Sequence, residues 1–183
     1  MSAYSYNASN PREALKDAKV QLAALQKMQD QALTQSQQTV MYMIAENLPQ
    51  KLWHMTDWII KCAAPEYVAL RARAGITDLG DFQKACRLAC PDLELCWEAT
   101  NGIKHFRQHP DAKITENTAS AVAQAPIAMP STLFDVGFAD YVGGPKSISR
   151  PKTILKDGRN LRTADLCERA IAYWESFLAA HGL

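Results

Sequence analysis

The sequence has no apolar run near the roughly 18 residues that a membrane-crossing helix needs. Its opening stretch, MSAYSYNASN, carries neither the charged start nor the apolar core of a secretory signal. Both absences predict a cytoplasmic protein with no membrane partner. The five cysteines, Cys62, Cys86, Cys90, Cys96 and Cys167, contain no CxxC pair. That removes the usual zinc and dithiol signatures and leaves the thiols to be read as small buried apolar groups. No Gly-rich phosphate loop, GxSxG elbow or calcium-binding loop appears, so kinase, hydrolase and calcium-sensor readings lack support. A large charge of one sign is missing too. The formal net charge of +1 provides no global field to draw in nucleic acid.

What is present suits one domain with a real core. The chain has 183 residues, of which 48% are apolar. The expected fold is mainly α: a helical bundle of five to six helices with a small β-hairpin before the C-terminal helix. Residues 1–183 form a single domain in this reading, with a bundle core over 10–110, a loop-rich segment with the hairpin over 111–162, and a closing helix over 163–182.

The first helix is announced by SNPREAL. Asn10 can cap, Pro11 suits the first helical position, and Glu13 stands where a capping-box acid would. Leu15, Ala18, Leu22 and Leu25 then repeat at three–four spacing. A second, strongly apolar helical region runs from about Thr34 to Cys62 and is expected to be central, kinked or split by Pro49 near Leu48. Pro65 opens a short helix that Gly75 can end. TDLGDFQKACRLAC gives another, and Pro91 starts the next, with Asp92 and Glu94 in its favourable first turn. After Pro110 the helical period is lost. STLFDVGFADYV is a strand candidate, and KTILKDGRNLR reads as a hairpin around a two-residue Asp157-Gly158 turn. The last helix is expected to be capped by Thr163, to line one face with Leu166, Ala170, Tyr173 or Trp174, and Phe177, and to stop at Gly182.

One stretch breaks local helix rules. CWEATNGIKHFRQHP places Asn-Gly in the interior of an amphipathic helix, where Gly costs about 1 kcal/mol relative to Ala. On a helical wheel Leu95, Cys96, Ala99, Gly102, Ile103 and Phe106 share a core face, which makes Gly102 a close-packing position. Glu94, Glu98, Asn101 and His105 form a separate polar stripe, with Trp97 and Lys104 beside it and roughly opposite the core. Such a stripe is either a solvated face or the wall of a cleft. In a cleft, His105 is the general acid or base, Glu98 fixes its tautomer, and Asn101 orients substrate or water. His105 and His109 also have an i, i+4 spacing that can chelate zinc, with His54 or Glu98 as further ligands. Because His109 precedes Pro110 and leans out of helical geometry, no metal and no cofactor is assigned.

A second constellation is LWHMTDWIIK. His54, Asp57 and Lys61 share a face at three–four spacing, flanked by Trp53 and Trp58. A half-buried histidine needs a partner, and Asp57 is the local one. A third feature is KSISRPKTILKDGRNLR, residues 146–162, with six basic residues against one acid. Lys152, Lys156 and Arg159 there suit phosphate contact, although basic edges also protect a hairpin from wrong pairing.

The paired motifs LWHMTDWI and TNGIKHF resemble those of a group of uncharacterised small proteins from bacteria and phages. In that group a WHxxDW-type helix is followed by an NGxKHF-type helix, a short β segment and a closing helix with a late Trp, here YWESFL. More distantly the arrangement is similar to HEPN-type helical domains, many of which are metal-independent ribonucleases of toxin–antitoxin and phage-defence systems. Their signature is an Arg, a polar residue, and a His five positions after the Arg. Asn101 and His105 stand at the last two positions, and Thr100 stands where the Arg belongs. The resemblance implies an RNA-processing role with His105 as acid or base, Asn101 and Lys104 on the phosphate, and a site formed across a homodimer. Two other readings stay open: a non-catalytic module that binds a partner protein or small ligand in a groove between the two motif helices, using Trp53, Trp58 and Trp97, and a metal-binding bundle using His54, His105 and His109.

Overall fold

A computed structural model describes residues 10–31, 33–105, 114–117, 151–155 and 159–183 of the chain. Among them are six helices and a three-stranded antiparallel sheet. Helix α1 (Pro11–Gln29) begins as its sequence dictates: the Asn10 side chain accepts the Glu13 backbone N–H at 3.1 Å, and Pro11 opens the first turn. Its stripe of Leu15, Ala18, Leu22 and Leu25 is buried.

Helix α2 (Gln35–Lys61) starts with a capping box between Thr34 and Gln37. Pro49 does not split it; the helix runs on through the proline. The ring removes one ladder bond, a loss of about 3 kcal/mol in an isolated helix. The acceptor it leaves without a ladder donor is the Ala45 carbonyl; the Asn47 and Gln50 side-chain amides nearby donate instead to the Met43 and Glu46 carbonyls, at 2.8 and 3.3 Å. Met41, Ala45, Leu48, Leu52, Met55 and Ile59, all fully buried, hold both halves of the helix against the bundle. Burying a side chain of Leu, Ile or Met size stabilises by about 1.5–3 kcal/mol, so several of them outweigh one lost bond.

Helix α3 (Pro65–Arg73) ends as the glycine predicts. Gly75 sits at φ 65°, and the N–H groups of Gly75 and Ile76 reach back to the Ala72 and Arg71 carbonyls. Arg71 in turn donates to the Ile59 and Cys62 carbonyls at 2.7 and 2.8 Å, covering the open end of α2. Helix α4 (Leu79–Ala89) is capped by Asp78, and α5 (Pro91–His105) follows after Cys90 alone. Asp92 in the first turn of α5 takes a two-pronged ion pair from Arg169, at 2.8 and 3.0 Å.

Strands β1 (Ile114–Asn117), β2 (Lys152–Leu155) and β3 (Asn160–Arg162) form the sheet in that spatial order. The β2–β3 pair is the expected hairpin, placed directly before the closing helix. Its register brings Leu155 to Arg159, leaving three residues between the paired ends where a two-residue turn would leave two. Asp157-Gly158 itself lies outside the described residues, as does the strand candidate STLFDVGFADYV. Thr153 and Leu155 turn inward with half-buried Leu161, while Asn160 and Arg162 face out, the alternation of a one-sided sheet.

Helix α6 (Thr163–Ala180) follows β3 without a gap. Thr163 is therefore not its cap. Its N–H extends the ladder to the Pro151 carbonyl at 3.1 Å, its side chain is buried, and Arg162 holds the capping position while pairing with Asp165. Gly182, at φ 77°, closes the other end with bonds from Gly182 and Leu183 to the Ala179 and Leu178 carbonyls.

The bundle is centred on α2, which touches α1, α3, α4, α5 and α6. Trp174 of α6 is wholly buried, and its indole N–H donates to the Leu52 carbonyl of α2 at 2.9 Å. Phe82 and Phe177 pack edge-on around it at 6.3 and 5.8 Å. Replacing Trp174 with Phe removes this second hydrogen bond to the carbonyl and leaves a gap beside it. The expected loss is about 2–4 kcal/mol, read as a lower midpoint with unchanged slope in urea unfolding.

Candidate functional site

The two motif helices meet through their tryptophans. Trp53 of α2 and Trp97 of α5 lie tilted at 6.4 Å between ring centroids, and the Arg87 guanidinium of α4 sits 4.2 Å over the Trp97 ring. Trp97 is thus half-buried between two helices rather than opposite the core. The wheel assigned α5 one buried face, but α5 touches α2, α4, α6 and β1, so it carries more than one. Arg87 was not legible as part of this cluster, because nothing in its own helix points toward a ring six positions beyond Pro91.

The polar stripe of α5 divides along its length. Glu98 is buried, at 8% exposure, whereas Glu94 and Asn101 are half-buried. The upper part of the stripe is therefore packed within the protein, not solvated. Leu95, Cys96 and Ala99 are buried as expected. Gly102, Ile103, Lys104 and His105 belong to the last turn of α5, and what surrounds their side chains lies outside the described residues, together with Phe106, Arg107 and His109.

Thr100 stands where the resemblance to HEPN domains would call for an arginine. It is wholly buried, and its Oγ1 donates to the Cys96 carbonyl one turn back at 2.7 Å.

On α2 the expected pair forms. His54 Nδ1 and Asp57 Oδ2 are 3.0 Å apart, both half-buried. An ionised carboxylate only accepts, so Nδ1 carries the proton and a neutral His54 keeps its lone pair on Nε2. Lys61 Nζ stands 3.5 Å from the other carboxylate oxygen and is itself well exposed. The His54 hydrogen bond is the chief cause holding the Asp57 carboxyl below its ordinary range. Partial burial opposes it, and the His54 and Lys61 charges add to it. Trp58 is half-buried next to the pair.

The hairpin cations are separate from this group in the fold, on strands joined to the end of α5 and the start of α6. Lys152 is half-buried, Arg159 is exposed, and Arg162 is engaged by Asp165 at 2.9 Å. Lys156 lies outside the described residues. Cys86, Cys90, Cys96 and Cys167 are buried; burial pushes the Cys86 thiol up to about 11 and raises the other three, which keeps them protonated and unreactive. Among the described residues no three or more His, Cys, Asp or Glu side chains are grouped to hold a metal ion, and no helix is long and apolar enough to cross a membrane.

No family model, no curated protein and no solved structure matches the chain.

The His54–Asp57 pair has a measurable signature. Folding lowers the Asp57 pKa, so the unfolded chain takes up this proton first as pH falls. The pair's stabilisation is complete above the unfolded carboxylate value, near pH 4, and is lost as pH falls through the lower folded value. Urea unfolding of Asp57→Asn beside the native chain is expected to show a stability gap that is full near pH 5 and shrinks below about pH 4.

Proposed function

We propose that the chain is a HEPN-like helical protein that binds RNA and does not cleave it. The observation that carries the reading is Thr100. Metal-independent cleavage needs a cation aimed at the phosphate as charge develops, and the motif position that supplies it is here a core threonine bonded to its own helix. The face of α2 supports binding. The exposed ammonium of Lys61, the His54 ring fixed by Asp57 and the Trp58 indole combine a cation with aromatic surface, which suits single-stranded RNA held by phosphate contact and base stacking. Lys152 and Arg159 add basic side chains on the hairpin. Asn101, with Lys104 and His105 in the same last turns of α5, contributes polar contacts in this reading. A second copy of the chain and a role in bacterial or phage defence are what the resemblance adds.

The test is retention and integrity of a labelled mixed RNA pool. The native chain is expected to retain RNA at low salt and to leave it intact with or without chelator. Lys61→Glu and Arg159→Glu are each expected to weaken retention about tenfold or more, with a shallower salt dependence. Absence of retention at low salt contradicts RNA binding. Cleavage that survives chelator and vanishes in His105→Ala contradicts the non-cleaving assignment.

A further inference from the structure

Helices α1 and α6 lie side by side and leave an open groove of about 560 Å³ between them, away from both motif helices. Arg12, Lys16 and Lys19 follow one another along one rim at spacings of four and three, the stripe that a helix puts on one face. Glu175 on the opposite rim answers Lys19 at 2.6 Å, and it is the one acidic side chain lining the groove. The Arg12 and Lys16 side chains meet no carboxylate among the described residues. Between the rims the floor is aliphatic, with Leu178 buried and Val20 unusually exposed, at 64%.

We propose that this groove docks an acidic amphipathic helix of a partner protein. The α1 rim runs from Arg12 to Ala23, about three helical turns or roughly 17 Å. A docked helix of the same length presents apolar residues at i, i+3 or i+4 and i+7 to the floor and carboxylates to the rim. With Lys19 already paired to Glu175, Arg12 and Lys16 set the sign of the partner. The signal was present in PREALKDAKV, where 12, 16 and 19 share a face, but it reads as a target only once α6 supplies the second wall.

The probe is a synthetic helical peptide of about three turns, leucine on one face and glutamate on the other, titrated into the full chain and followed by fluorescence anisotropy. Binding is expected to fall at least about tenfold in Lys16→Glu and in Val20→Asp, both at exposed positions, and to weaken as salt rises. A peptide with lysine in place of glutamate is expected to bind at least about tenfold more weakly than the acidic one. The salt and peptide-charge comparisons use the native chain, so they stand even if a variant folds poorly. Absence of binding, or equal binding by both peptides, overturns the proposal. So does Lys16-dependent capture by anionic vesicles with no peptide binding, or a dimer of this chain that occupies the groove and that the peptide fails to displace.

Discussion

The closing helix is pinned to the centre of the bundle by one buried polar contact, the Trp174 indole N–H on the Leu52 carbonyl. A helix-interior carbonyl already accepts from its own ladder and has a second lone pair, so it can take this bond without losing its own. The indole brings a large apolar surface to the same place, against Phe82 and Phe177. With α6 fixed there, its start carries the hairpin through the Thr163–Pro151 bond, its middle meets α4 and α2, and Arg169 reaches the first turn of α5 at Asp92. The position of the motif helix thus depends on α2 through Trp53 and Trp97, and on α6 through Arg169.

That placement decides what the motif helix can do. Packed by α2, α4 and α6, the middle of α5 is interior on nearly every side: Leu95, Cys96, Glu98, Ala99 and Thr100 are all buried. The α2 face carries the accessible part, where Asp57 fixes the His54 ring and Lys61 extends into solvent. This arrangement is suited to contact and orientation. At the middle of α5, by contrast, the Thr100 hydroxyl is engaged by its own helix at the Cys96 carbonyl.

Much of the fold was legible because local rules and burial agreed. Asn10 with Pro11, Thr34 with Gln37, Gly75 and Gly182 all act at helix ends as their chemistry dictates. His54 and Asp57, three apart on one helix, were bound to meet. The misreadings came where tertiary packing overrode local signals. Of the kink or split expected at Pro49, the split does not occur, because a buried stripe runs on both sides of it. Thr163 loses the cap because β3 leads straight into α6. Trp97 was assigned outward because a wheel describes a single helix and knows nothing of α4, whose Arg87 covers the ring. The α1–α6 groove was hidden for the same reason, since its walls are some 160 residues apart in sequence, as Lys19 and Glu175 show.

Introducing arginine at position 100 addresses the central claim, that the motif's cation position belongs to the core. Near-ultraviolet circular dichroism and urea unfolding of Thr100→Arg, run beside a chelator-resistant RNA cleavage assay, give both readouts at once. Loss of fixed tertiary packing and no cleavage are expected, because an unpaired buried guanidinium costs several kcal/mol, a large share of a small domain's stability. A variant that keeps the native unfolding curve and gains RNA cleavage dependent on His105 would contradict it.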